Sequence, residues 1–163
     1  MNPRLVPPGI AKKKEGVMSG LALNFIVFLH LASAVLWIGG IIFVLFVAIP
    51  ASKEVMGAEA GKVMGALSRR FSPLANYGIL LLVVTGLFLS FLQGGTYARA
   101  PFYLKTALAV IMISVHFYRG LILAPKIARS EPQEKTSLQK FSLDLVKLNL
   151  VIGLAVLFFA TMA

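Results

Sequence analysis

The chain has 163 residues, of which 58% are hydrophobic and only 13% are charged, against roughly 25% charged residues in soluble domains. With a mean hydropathy of +0.87, this composition excludes an ordinary soluble protein and predicts an integral membrane protein. The absence of cysteine excludes disulfides, iron–sulfur clusters and thiolate metal sites. The basic residues behind the net charge of +10 flank apolar runs, so we expect membrane lipid, and no nucleic acid, as their partner.

The first predicted element is a membrane span over residues 21–50, preceded by a basic N-terminal segment, residues 1–20. The span contains no Asp, Glu, Lys or Arg, and about 20 apolar residues are enough to cross a bilayer. A secretory signal peptide is the alternative, because Lys12-Lys13-Lys14 precedes the apolar run and Ala32-Ser33-Ala34 resembles a cleavage site. Since the apolar sequence continues to Pro50, we predict a retained, tilted helix.

Three further charge-poor runs predict an all-α, integral membrane four-helix bundle that forms one domain over residues 21–163. The four predicted spans are 21–50, 74–92, 103–124 and 143–162. Four spans place both termini on one side, so that five Lys and Arg residues flank the terminal side and eight flank the other. The positive-inside rule then favours a cytoplasmic location for the long connections, 51–73 and 125–142, with the termini outside. We expect a multi-pass protein of the cytoplasmic (inner) membrane.

Four ionisable side chains lie within these apolar runs, where their cost makes a functional role the default hypothesis. They are His30, Lys105, His116 and Arg119. Counted from the span midpoints at about 1.5 Å per residue, His30 lies about 4 to 5 Å from Lys105 in depth and about 12 Å from His116. Eleven residues separate Lys105 from His116, which returns both to one helix face. Met112 and Arg119 share this face, so the polar stripe is predicted to point inward.

These side chains are suited to a haem or a copper ion. A neutral histidine can ligate haem iron or copper, so His30 and His116 are the candidate metal ligands. Lys105 and Arg119 could pair with haem propionates or assist proton transfer, which makes Lys105 the candidate catalytic residue. Trp37 lies near mid-span, where its indole N–H needs a partner or a cofactor edge, and it could pack against the ring.

Other interpretations of the same residues stay open. Met112 beside His116 could form a soft copper site, although packing alone would also explain the methionine. Each histidine could be an interhelical hydrogen-bond partner, while Lys105 and Arg119 could extend to the headgroups. Small residues within three spans permit close helix packing or leave a slot for a flat ring. These residues are Gly39-Gly40, Thr85-Gly86 and Gly153.

Several short motifs resemble those of a known family. They are His30, Trp37-Ile38-Gly39-Gly40, Arg69-Arg70-Phe71, Leu82-Val83-Val84-Thr85-Gly86-Leu87, and Tyr103-Leu104-Lys105 followed by His116. Together they cover about residues 21–120 and resemble the membrane domain of the copper-resistance protein D (CopD) family. The third span is also similar to that of the HemJ-type protoporphyrinogen oxidases. In the last span the sequence departs from the HemJ pattern Asn-Glu-x-Pro, because Asn149-Leu150-Val151-Ile152 has neither the Glu nor the Pro.

The resemblance implies a four-helix membrane bundle with a role in copper uptake or haem-linked redox chemistry, and the HemJ branch implies that His30 and Lys105 are the functional pair. The leading hypothesis is a membrane protein that binds haem b and acts in electron transfer or membrane redox chemistry, with membrane oxidoreductase activity left open. Copper is the alternative ligand, in a copper uptake or resistance protein with a site at His116 and Met112. A structural subunit of a larger membrane complex is the third hypothesis. A redox partner or such a complex would be the protein partner.

Overall fold

The computed structural model describes residues 8–92 and 100–162, which are helical almost throughout and contain no strand. Within these residues, six α-helices are joined by two π-helical segments and a 3₁₀ turn. In chain order they are α1 (Pro8–Phe43), a π segment (Val44–Ala48), α2 (Ile49–Met56), the 3₁₀ turn (Gly57–Glu59), α3 (Ala60–Leu92), α4 (Ala100–Phe117), a second π segment (Tyr118–Leu123), α5 (Ala124–Arg129) and α6 (Pro132–Ala160). The short connection predicted between the second and third spans, with its Gly94-Gly95 turn, lies largely outside the described residues.

Four helical rods in the described part of the chain are long and apolar enough to cross a membrane, which confirms the predicted all-α, four-helix membrane bundle. The first span is Gly20–Met56, the second Ala60–Leu92, the third Ala100–Arg129 and the fourth Pro132–Ala160. Rods of 29 to 37 residues are about 44 to 55 Å long, whereas the hydrocarbon core of a bilayer is about 30 Å thick. The helices therefore extend beyond the hydrocarbon, and most of the predicted connections 51–73 and 125–142 are helical.

The local sequence explains where the rods reverse direction. Gly57 follows α2 with φ +50, a left-handed conformation that glycine adopts at little cost, and the chain then turns into α3. At the other hairpin, Ser130 and Glu131 are extended. The residue before a proline avoids the helical region, and Pro132 is well placed to begin α6 because a first-turn residue needs no hydrogen-bonded N–H.

The two π segments widen the first and third spans close to a proline. Val44–Ala48 ends two residues before Pro50, and Tyr118–Leu123 ends two residues before Pro125. Proline has no N–H for the helical hydrogen bond, and its ring crowds the carbonyl four residues earlier. The chain accommodates this with a wider turn, in which the N–H after the second segment reaches the carbonyl of Arg119, five residues back.

All four spans contribute to one hydrophobic core. Its buried members are Trp37, Ile38 and Ile41 from the first span, Ala75 and Ile79 from the second, Met112 from the third, and Val146 and Leu150 from the fourth. Backbone contact is most extensive between the first and second spans and between the third and fourth, and is smaller between the first and fourth. The bundle is therefore two helical hairpins that meet around Trp37. Large exposed apolar side chains, such as Phe28, Phe91 and Leu121, face the lipid.

Three of the predicted small residues serve close helix packing. The ring of Phe71 lies where a Cβ on Gly40 would be, the ring of His30 lies over Gly86, and the Met112 methyl packs on Gly153. Gly39, by contrast, has no neighbour within 4 Å of the position of a Cβ. The close-packing interpretation is thus confirmed for Gly40, Gly86 and Gly153, whose space is filled by side chains of this chain.

Candidate functional site

The polar stripe of the third span follows the predicted helix face. Met112 is 2% exposed, and His116, Arg119 and Lys105 are each partly buried. The Arg119 guanidinium donates through Nε to Ser142 Oγ at 3.3 Å, which ties the stripe to the fourth span. Lys105 Nζ lies 5.1 Å from the centre of the Phe102 ring on its own helix, a cation–π arrangement.

His116 is the point where three spans meet. Its Nε2–H donates to Asn76 Oδ1 of the second span at 2.8 Å. Trp37 of the first span packs against it, with ring centroids 5.8 Å apart and planes at 89°. Because the Asn76 oxygen can only accept, the proton of the neutral imidazole is on Nε2. The lone pair on Nδ1 is therefore the one available to a ligand.

The site continues at Met112, one turn before His116 on the third span, and at Asn149 of the fourth span, which contacts it. Asn149 is 2% exposed, and its Nδ2 donates to the Met112 carbonyl at 3.1 Å. In the α-helical pattern the same carbonyl also accepts the N–H of His116. Two buried polar atoms, Trp37 Nε1 and Asn149 Oδ1, have no hydrogen-bond partner among the described residues. The core beside His116 thus contains an unused donor and an unused acceptor, and such groups are costly unless something binds them.

His30 occupies a second polar position, against the second span. Its Nδ1 is 2.9 Å from Thr85 Oγ1, and the Thr85 hydroxyl donates to the Leu81 carbonyl at 2.6 Å. A hydroxyl can donate only one hydrogen bond, and the Thr85 hydroxyl donates it to the Leu81 carbonyl. Thr85 Oγ1 therefore accepts from His30, and Nδ1 of His30 carries the proton. The lone pair on His30 Nε2 is consequently available. Counted from the level at which Trp37 meets His116, Lys105 lies within about 6 Å of His30 along the bundle axis.

The structure keeps the two histidines apart. Trp37 contacts His116 and lies seven residues after His30 on the same helix, a separation of about 10 Å along the axis. This agrees with the difference of about 12 Å expected from the sequence. The two axial ligands of one haem approach its iron from opposite faces at nearly the same point, so His30 and His116 do not fit as a pair on one iron.

Within the described residues, no three His, Asp or Glu side chains converge on a point where they could hold a metal ion. A metal ion bound in this core would therefore have few protein ligands. The two candidate donors nearest to each other in sequence are the Met112 thioether and the His116 imidazole of the third span. Sulfur and imidazole donors select soft or borderline metals such as copper rather than Mg²⁺ or Ca²⁺. The chemistry of the donors is consistent with copper and not with a hard cation.

The neutral side chains that orient this site have no predicted functional role from the sequence. Asn76 and Ser142 received no role, Thr85 was considered only as a small residue, and Asn149 only as part of a motif. Each is a neutral polar residue within or beside an apolar run, where hydrogen bonding to another helix is the usual reason for its presence. Ionisable groups alone therefore do not locate these partners, whereas isolated Asn, Ser and Thr residues in apolar runs do.

Comparison with known proteins gives one result. A family model described as CopD, copper resistance protein D, matches residues 65–163, which is more than half of the chain. The matched region includes Asn76, Thr85, Lys105 and His116, whereas His30 precedes it. No curated protein matches the chain, and no solved structure matches it.

Proposed function

Because the chain belongs to the copper resistance protein D (CopD) family, we propose that it is a multi-pass membrane protein that takes up or transfers copper, and that His116 and Met112 hold the ion. The observation that carries the proposal is the His116–Met112 pair on one inward face of the third span. The ion is the cargo of the protein, and a thioether with an imidazole is a donor set that favours Cu(I).

The neighbours of these two residues support the assignment of ligands. Asn76 binds Nε2–H of His116, which fixes the ring and leaves Nδ1 for the metal. Such a partner of a metal-binding histidine sets its tautomer and its orientation. Asn149 holds the backbone of Met112 through its carbonyl, and Trp37 covers His116 and excludes water from that side.

The location of the pair supports transfer rather than storage alone. His116 lies where the two helical hairpins meet, and its hydrogen bond to Asn76 joins the second span to the third. Close backbone packing is concentrated within each hairpin, so the boundary between the hairpins is the part of the bundle that can rearrange with the least disruption of packing. An ion bound there would be at mid-bundle, accessible from either side by movement of one hairpin.

A binding experiment on purified protein tests the proposal. Cu(I) affinity would be measured by competition with a chromogenic chelator under reducing conditions, with the fluorescence of Trp37, the only tryptophan of the chain, as the local report. The Met112→Leu and His116→Ala double variant should lose at least about tenfold in Cu(I) affinity. Removing a group that only hydrogen-bonds to a metal ligand already lowers affinity by about 10- to 100-fold. Met56→Leu, at an exposed methionine, is the matched control and should bind normally.

Transport is measured on the same proteins in vesicles. Vesicles that contain wild-type protein or the Met56→Leu control should accumulate copper, and the double variant should not. Unchanged affinity and uptake in the double variant would show that His116 and Met112 are not the copper ligands. Binding without uptake would limit the proposal to copper binding.

A second candidate, haem b at His30, rests on a different observation. His30 presents a free Nε2 lone pair, and Lys105 lies at a similar depth in the bundle, so the two residues would fit a ligand of the haem iron and a partner for a propionate. A bound haem would supply electron transfer or redox chemistry at this position, with Lys105 as the residue able to move a proton. Trp37 and Arg119, also predicted to contact the cofactor, lie at or beyond the level of His116, about 10 Å or more along the axis from His30, so this proposal rests on His30 and Lys105.

Absorption spectra separate the two candidates. In the haem proposal, protein prepared with haem available has a Soret band that shifts on reduction, and His30→Ala abolishes this band while His116→Ala retains it. Equal haem content in wild type and His30→Ala would refute the assignment. A protein that binds neither haem nor copper and copurifies with another membrane protein would instead support the structural-subunit hypothesis.

A further inference from the structure

A cleft of about 500 Å³ lies at the turn between the third and fourth spans, beyond His116 towards the end of the third span. The lining residues that matter here are Leu121, Ile122, Lys126, Arg129, Glu131 and Glu134. Its apolar wall comes from the π segment of the third span, and its polar wall comes from α5, the turn and the start of α6. This order of apolar and polar surface along a helix is that of a bilayer between its acyl chains and its headgroups.

The charges of the cleft are balanced and partly satisfied. Lys126 Nζ pairs with Glu134 Oε1 across the cleft at 3.3 Å. Among the described residues, Arg129 and Glu131 are not in any ion pair. The cleft thus presents one uncommitted guanidinium and one uncommitted carboxylate, two residues apart in sequence and on opposite sides of the helix break.

From this we propose that the cleft binds a zwitterionic phospholipid whose headgroup carries a primary ammonium, such as phosphatidylethanolamine. Arg129 binds the phosphate, since a guanidinium donates two parallel hydrogen bonds to phosphate oxygens. Glu131 accepts hydrogen bonds from the ammonium. One acyl chain lies along Leu121 and Ile122, which are 72% and 58% exposed and need apolar cover in a membrane.

The paired charges argue for this lipid over an anionic one. General attraction of basic residues to anionic headgroups would favour a cleft of uniform positive charge, and here two carboxylates face two cations. A carboxylate repels a headgroup with net negative charge and gains most from a headgroup that brings its own ammonium. A choline headgroup has no N–H to donate, so the cleft should distinguish ethanolamine from choline.

Native mass spectrometry of the delipidated, detergent-purified chain tests the proposal with three lipids of identical acyl chains: phosphatidylethanolamine, phosphatidylcholine and phosphatidylglycerol. Phosphatidylethanolamine should bind at least about threefold more tightly than the other two, as one partly exposed charged contact allows. Arg129→Ala should weaken all three lipids. Glu131→Gln should remove the preference for ethanolamine over choline and leave phosphatidylcholine binding unchanged.

Two variants outside the cleft are the matched controls. Lys135→Ala removes a positive charge from α6, and Glu54→Gln removes a carboxylate from the other hairpin; neither residue lines the cleft. Both should bind lipids as wild type does. Tightest binding of phosphatidylglycerol, a lack of preference among the lipids, or equal losses in cleft and control variants would overturn the proposal. Copper binding does not enter this test, so its outcome is independent of the proposed function.

Discussion

The clearest test of the packing is a comparison of two neighbouring glycines, Gly39 and Gly40. The ring of Phe71 occupies the space that a Cβ on Gly40 would need, whereas a Cβ on Gly39 would have no neighbour within 4 Å. Both residues lie inside α1, where alanine is favoured over glycine by about 0.5 to 1 kcal/mol. This helix term is common to both variants, so their difference isolates the contact with Phe71.

Gly40→Ala should therefore be the less stable variant. Added volume in a well-packed core costs about 1 to 3 kcal/mol, and the aromatic ring has to move as a rigid unit. We expect Gly39→Ala to be neutral or slightly stabilised and Gly40→Ala to be less stable than it by about 1 to 3 kcal/mol. The assay is thermal unfolding in detergent, in which size-exclusion chromatography measures the fraction that remains folded at each temperature. The emission of Trp37, three residues before Gly40, reports on the local structure.

A double-mutant cycle identifies the cause. Phe71→Leu removes the ring edge, so Gly40→Ala should cost much less in a Phe71→Leu background than in the wild type, with a coupling free energy of about 1 kcal/mol or more. If Gly39→Ala and Gly40→Ala shifted the unfolding temperature equally, or if the cycle showed no coupling, the packing of Phe71 on Gly40 would be wrong. The sequence motifs around these residues would then need another explanation.

Three further predictions concern the polar contacts between spans. Thr85→Val leaves His30 Nδ1–H without its acceptor and should destabilise the protein by about 1 to 3 kcal/mol, while Thr85→Ser retains the bond and most of the stability, as measured by thermal unfolding. Asn76→Leu frees His116 Nε2 and should lower Cu(I) affinity by about 10- to 100-fold in the chelator competition, and unchanged affinity would show that the amide does not orient the ligand. Asn149→Leu exchanges one hydrogen bond for the removal of a buried unpaired oxygen, so stability should change by less than about 1 kcal/mol; a larger loss would indicate that this oxygen has a partner, such as bound water.

The architecture follows closely from the sequence. Four charge-poor runs separated by basic connections predict four helices, because a backbone in lipid has to satisfy its own hydrogen bonds. The depth of a residue also follows from counting, since helical rise is nearly constant: the axial distance between His30 and His116 agrees with expectation to within a few ångströms. The ends of the helices are less predictable. Charged residues mark the edge of the hydrocarbon, whereas the backbone hydrogen bonds of the helices continue beyond it.

The partners of each helix face could not be predicted in this way. In a soluble helix the core face is apolar and the outer face is polar, but here both the core and the lipid-facing surface are apolar. Periodicity therefore does not reveal which side of the second span faces His116. Asn76 marks the side that faces His116, and Thr85, nine residues later and about 180° further around the helix, marks the side that faces His30. Isolated neutral polar residues in an apolar run are thus the best sequence indication of a helix interface in such a bundle.

The choice of nitrogen on His116 determines whether copper binding would affect the bundle. Coordination through Nδ1 leaves the bond from Nε2–H to Asn76 intact, so the ion could bind while the second and third spans stay joined. Coordination through Nε2 would break that bond and leave the amide oxygen without its donor, at a cost of about 1 to 3 kcal/mol if it stayed buried. Binding would then be coupled to separation of the hairpins, and Asn76→Leu would strengthen copper binding instead of weakening it. The sign of that one substitution therefore distinguishes a site held in place by Asn76 from a site that opens the bundle when it binds its ion.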